Sequence, residues 1–192
     1  MKTGLFFGSF NPIHIGHIAI AGYVLEFSDL EELWFVVSPH NPLKLQTDLA
    51  DDTHRLEMVR RVIDDFYPKF QVCDMEMNMP RPSYTIDTLR VLKEKYPHRN
   101  FYVVMGSDSM DTISQWKDYE LLLDNHQILV YPRLGSDVEK IKNKYHVDVV
   151  TAPVIEISST FIRSCLKNGI DVRYYMPTKA YEYMMDKRVY AE

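Results

Sequence analysis

The chain has 192 residues, 46% hydrophobic and 26% charged, with a formal net charge of −5 at pH 7. This fits one domain spanning 1–192, and it excludes a strongly basic nucleic-acid binder while leaving room for a small anionic ligand in a local pocket. Cys73 and Cys165 lie outside any CxxC pattern, no apolar run reaches membrane length and the N-terminus lacks a signal-like stretch; no disulfide framework and no membrane partner are expected, and a reducing, cytoplasmic setting is.

The first apolar run, near 5–7, predicts a strand, and "GSFNPIHIGH" (8–17) follows it directly. A helix is expected over 17–28, then a strand over 33–38, "LWFVVS". The segment 39–50, "PHNPLKLQTDLA", reads as a polar loop beside the end of that strand. A helix over 51–66 carries Leu56, Val59, Ile63 and Phe66 on one stripe. A strand over 70–75 and a helix over 84–96 follow, the helix with Ile86, Leu89 and Leu92 on its apolar side. Strands are then expected at 101–106, 128–131 and 147–151. The last third predicts a capped helix over 157–169 with a glycine stop, and a final helix from 178 capped by Thr178. The strands are short and continuously apolar, as suits strands covered on both faces. Strand–helix alternation implies an α/β fold: a Rossmann-like, doubly wound, mostly parallel sheet, helices on both faces and a small helical C-terminal part.

In such sheets ligands bind beyond the C-terminal strand ends. "GSFNPIHIGH", "SPHNPLK", "GSDS" and "ISST" all follow strands or the segment after the last one, so they are expected to converge. Gly8 lets the backbone near Ser9 and Phe10 approach a phosphate, and Gly16 sits where a helix start favours negative charge. His14 and His17 are three apart, which on a helical turn sets their Cβ atoms ~5–6 Å apart on one face. As neutral donors or as cations, both can donate to phosphoryl oxygens. His40, His54, His98, His126 and His146 form no second cluster, which argues against a zinc site of three or four ligands.

In "ISSTFIR" (157–163), Ser158 or Ser159 can cap a helix, and Arg163 can reach the same anion. The weaker signals each have a bland alternative. Asp108 accepts from ribose hydroxyls or caps a helix; Trp116 stacks on a ring or is core. Lys44 and Arg133 contact phosphate or are solvated. Ser83 and Thr85 read as caps and Asp87 as a first-turn charge. No nucleophile stands out, which suits one substrate attacking another.

"SFNPIHIGH" with a late "ISSTFIR" resembles the nucleotidyltransferase superfamily and its HxGH and ISSTxxR signatures. "SPHNPLK", "SYTIDTL", "GSDS" before Trp116, and "VRYYMP" resemble, within it, the bacterial nicotinate-nucleotide adenylyltransferases. Two departures stand out: Phe7 replaces a first glycine and Asn11 an aspartate found in many relatives. Lys44 falls in a stretch that varies in the family. The resemblance implies transfer of the adenylyl group of ATP to nicotinate mononucleotide, with Mg²⁺ carried by the ATP phosphates and pyrophosphate released, in NAD biosynthesis. It implies His14, His17, Ser158, Ser159 and Arg163 at the ATP phosphates, beside Ile157, with Gly8, Ser9 and Phe10 approaching through backbone. It gives the mononucleotide Lys44, Gly106, Asp108 and Arg133, and frames its ring with Thr85, Trp116 and Lys117. Other acceptors (nicotinamide mononucleotide, phosphopantetheine, a CTP-dependent alcohol phosphate), a non-catalytic nucleotide-binding module, and homo-oligomer formation stay open.

Overall fold

The computed structural model describes residues 1–40 and 49–191. Among them are six strands, β1 (Lys2–Gly8), β2 (Glu32–Val37), β3 (Phe70–Cys73), β4 (Asn100–Gly106), β5 (Gln127–Tyr131) and β6 (Asp148–Val149). They form one sheet in the order β3-β2-β1-β4-β5-β6. Every neighbouring pair is parallel, so the sheet expected to be mostly parallel is wholly so over the described residues. The helices are α1 (Ile15–Glu26), α2 (Asp52–Ile63), α3 (Thr85–Lys95), α4 (Ser107–Asp111), α5 (Tyr119–Asn125), α6 (Val138–Tyr145), α7 (Ser159–Lys167) and α8 (Thr178–Asp186).

Side chains on a strand alternate faces, so a strand buried on both sides must feed two cores. Leu33, Phe35 and Val37 of β2 belong to one apolar cluster and Trp34 and Val36 to the other. Helices α1, α2, α7 and α8 cover the Phe35 face, while α3, α4, α5 and α6 cover the Trp34 face. Because α1 leaves β1 toward one face and α4 leaves β4 toward the other, a crevice opens between the ends of these neighbouring strands.

Several expected boundaries move for identifiable reasons. The last strand shrinks from 147–151 to Asp148–Val149: Val150 still donates to Val130 O at 2.9 Å, but Ala152 folds back onto Val150 O and Pro153 has no N–H to continue a ladder. α2 ends at Ile63, and a 3-10 turn over Asp64–Phe66 turns Phe66 off the expected stripe, leaving it 43% exposed. Leu56, Val59 and Ile63 are buried as expected. Thr178 is not a cap; Pro177 takes that position, without a side-chain hydrogen bond, and its fixed φ suits a helix entry. Tyr84, not Ser83 or Thr85, is the N-cap of α3, and again no side chain caps it. The glycine stop after α7 is present: Gly169 is left-handed at φ +68, and Ile170 N donates to Cys165 O at 2.9 Å.

Candidate active site

The turn after β1 is pinned from below. Phe10 is left-handed (φ +44) and its ring is buried against Phe6 and Phe35. A Cβ on Gly8 would meet that ring at 2.8 Å, so this glycine is required first by Phe10 and only then by any ligand. A Cβ on Gly16 would likewise sit 3.0 Å from His14 Nδ1 and 3.2 Å from Ile155, so Gly16 makes room for the imidazole.

His14 is the N-cap of α1 and extended (φ −141), while His17 lies in the first turn. The pair is therefore not two residues on one helical face. Their rings stack, centroids 3.6 Å apart. His17 Nδ1 accepts from the His14 backbone N–H at 3.2 Å, which in neutral His17 leaves the proton on Nε2. His14 Nδ1 is buried without a hydrogen-bond partner. Burial, and secondly the charge of Arg133, lower the His14 pKa to about 4. Of the two states left open by the sequence, His14 is neutral at pH 7.

Both rings line a cavity of about 530 Å³. The late motif lines it too. Ser158 caps α7, accepting from Phe161 N at 3.2 Å, and Ser159 Oγ donates to Pro12 O at 2.9 Å. Arg163 Nη1 donates to Asn11 O at 2.8 Å. Ile157, Ser158, Ser159 and Arg163 thus line the same cavity as the imidazoles, and so does Phe10. The donors present are imidazole, hydroxyl, guanidinium and backbone amide, which suit phosphate oxygens. Among the described residues no three His, Cys, Asp or Glu side chains are grouped to hold a metal.

A second cavity of about 230 Å³ adjoins the first. Thr85, Gly106, Trp116 and Lys117 line it. Gly8, Ser9, Asp108 and Tyr131 line both, so the two chambers meet over the ends of β1 and β4. Trp116 is half-buried and its Nε1 has no hydrogen-bond partner. Lys117 Nζ bonds Asp87 Oδ2 at 2.7 Å, which raises its pKa, and lies 5.0 Å from the Tyr84 ring centre. Asp87 is the first-turn charge expected. Asp108 does not cap α4 across the turn; its Oδ1 accepts from the adjacent Ser109 N at 3.1 Å.

Arg133 packs against Gly106, where the two chambers adjoin. It lines the imidazole chamber and not the Trp116 chamber. Its backbone N–H bonds Ser107 Oγ at 2.8 Å, and the side chain then reaches Ile155 O at 3.4 Å and Asp108 at 3.8 Å. Lys44 lies outside the described residues.

Three residues that the motifs did not single out support the site. Arg55, 1% exposed, donates to four carbonyls: Ser9 O (2.7 Å), Ser38 O (2.8 Å), Pro39 O (2.9 Å) and Ala50 O (3.0 Å). An arginine four residues before Val59, on the buried side of an amphipathic helix, was the available signal. Tyr190 OH donates to Asn11 Oδ1 at 2.8 Å, tying the last described residues to the turn after β1; no local pattern marks it. Glu76 lines the Trp116 chamber and is buried.

Residues 5–165 match the family model described as cytidylyltransferase-like. The chain belongs to the cytidylyltransferase-like family. Its curated relatives include two named "Probable nicotinate-nucleotide adenylyltransferase". That of Flavobacterium johnsoniae is 46% identical over 99% of both chains, and that of Bacteroides fragilis is 49% identical over 94% of this chain and 90% of its own. Among solved structures, a Plasmodium falciparum nicotinic acid mononucleotide adenylyltransferase complexed with NaAD superposes with a TM-score of 0.83 at 22% identity. It covers 98% of this chain and 97% of its own, and establishes the shared fold of the family.

Proposed function

We propose that this member of the cytidylyltransferase-like family is a nicotinate-nucleotide adenylyltransferase, transferring the adenylyl group of ATP to nicotinate mononucleotide in NAD biosynthesis. The observation that carries the reading is a pair of chambers meeting at the ends of β1 and β4, one rich in phosphate donors, the other bearing Trp116 and an uncapped helix start. Relatives that bear this enzyme name along nearly their whole length support it.

In this reading ATP occupies the chamber of His14, His17, Ser158, Ser159 and Arg163. A phosphate oxygen of the mononucleotide attacks the α-phosphorus in line; the bond from that phosphorus to the bridging oxygen breaks, and pyrophosphate leaves with the electron pair. The protein forms no bond to either substrate and works by positioning and charge stabilisation. His17 Nε2–H donates to the α-phosphate as its charge grows. Neutral His14 donates beside it. Arg163 and Arg133 offset the charge of the triphosphate, which moves Arg133 from the mononucleotide to the ATP side. Mg²⁺ enters as part of the MgATP substrate, where it neutralises phosphate charge.

Trp116 stacks on the pyridine ring. The uncapped amides at the start of α3 favour a carboxylate, which only accepts, over a carboxamide, whose NH₂ faces unmatched donors. Placement in the cytoplasm belongs to the same reading. The deciding experiment is a coupled pyrophosphate assay with ATP, Mg²⁺ and each pyridine mononucleotide in turn. Preferential turnover of the acid is expected; equal use of the amide overturns the specificity, and no pyrophosphate with any acceptor overturns the activity.

A further inference from the structure

The Trp116 chamber contains a carboxylate that the proposed chemistry leaves unused. Glu76 lies in the 3-10 turn Met75–Asn78, is 2% exposed and lines the chamber with Ser83, Tyr84 and Thr85. Its Oε2 accepts from Ser83 Oγ at 2.6 Å and its Oε1 from Thr88 Oγ1 at 2.8 Å. Ser83 is itself buried and Thr88 fully so.

A carboxylate only accepts, so it fixes both hydroxyls as donors. Thr88 has one hydroxyl proton, and Tyr84 O competes for it at 3.2 Å. The shorter contact gives it to Glu76. The two hydroxyls flank the entry into α3, where no side chain caps the first-turn amides. Glu76 therefore grips this entry from the adjacent turn, at positions on both sides of Tyr84 and Thr85. Its charge alone opposes an anionic ligand in the same chamber. Positioning and charge thus give opposite signs for the effect of removing the carboxylate.

We propose that Glu76 is a positioning residue for the acceptor substrate: through Ser83 and Thr88 it aims the uncapped amides of α3 at the acidic substituent of the pyridine mononucleotide. The inference rests on reading this chamber as the mononucleotide seat. Glutamine at 76 presents an NH₂ to one hydroxyl, which must then accept where it had donated, weakening the hold on the α3 entry; alanine removes both acceptors, leaving the Ser83 hydroxyl unmatched and Thr88 with only Tyr84 O.

The test compares wild type, Glu76→Gln, Glu76→Ala and Ser83→Ala, varying ATP and nicotinate mononucleotide separately, with amide hydrogen exchange of residues 83–89 in the ligand-free protein. Glu76→Ala should raise the KM for the mononucleotide about tenfold and Glu76→Gln less, with the KM for ATP within about twofold. Exchange across 84–88 should quicken in both. A fall in the mononucleotide KM, a parallel rise in both KM values, or a loss confined to kcat overturns the proposal. If Glu76→Ala does not fold, Glu76→Gln and Ser83→Ala carry the comparison. If wild type turns over no pyridine mononucleotide, the functional reading has failed. Exchange then decides the positioning role: unchanged exchange overturns it, and faster exchange at 84–88 upholds the grip of Glu76 on α3.

Discussion

The imidazole of His14 stacks on that of His17, 3.6 Å between centroids, and burial keeps it neutral. That state has a cost below neutrality. Folded His14 has a pKa of about 4 against an ordinary 6.5, so as pH falls the unfolded chain takes up the proton first. The contribution of His14 to stability is complete above pH 6.5 and is lost on descending toward 4. Between pH 7 and pH 5 this one group should cost the wild type on the order of 2 kcal/mol, and His14→Asn should lose correspondingly less. Urea unfolding of both proteins at the two pH values measures it; identical pH dependence would remove His14 as the cause. His17 has a different task. His17→Ala should lower kcat by ~10²-fold or more, the scale for one preorganised transition-state donor, with stability changed by only about 1 kcal/mol. Steady-state kinetics alongside thermal unfolding separates the two effects, and unaltered turnover would refute the assigned role. The residue types were legible in the sequence, since two histidines after a glycine-ended strand suit phosphate. Their stacking was not, because it depends on His14 standing just outside the helix.

Among the elements, α2 connects the most distant parts of the site. Asp51 caps it and Arg60 and Arg61 sit near its C-terminal end, a charge order that favours the helix dipole. From its first turn Arg55 reaches the turn after β1 and the carbonyls of Ser38, Pro39 and Ala50. Arg55→Met should leave these acceptors buried and unpaired, costing roughly 3 kcal/mol or more. Arg55→Lys should cost less, because an ammonium offers three donors without the planar fork. Urea midpoints rank the variants; a fully stable Arg55→Met would show that the carbonyls find other partners. The amphipathic helices α2 and α3 were readable from periodicity, and α7 from its cap and glycine stop. The short α4, α5 and α6 were not, since five to eight residues hold too few apolar positions to establish a period.

Over the whole molecule, ligand binding should register as stability. The two chambers share Gly8, Ser9 and Asp108 but have separate outer walls, so MgATP and the mononucleotide should each protect the fold alone and protect it further together. A ligand at 100 times its Kd stabilises by about 2.7 kcal/mol, or roughly 5–10 °C in Tm for a chain of this size. Thermal unfolding with each ligand and with both measures this, and protection by the mononucleotide only when ATP is present would show that ATP completes its seat. By itself the sequence determined the alternation of strand and helix, the burial of the strands on both faces and the collection of glycines, histidines and serines at strand ends. Those follow from local spacing, and spacing survives in a one-dimensional reading. Only the tertiary structure decided that β1 and β4 lie side by side, that Arg133 turns into the imidazole chamber and that Arg55, Glu76 and Tyr190 brace the site. Each of these depends on contacts between segments far apart in the chain, and the energy of such a contact exists only once both partners have been brought together and shut away from water.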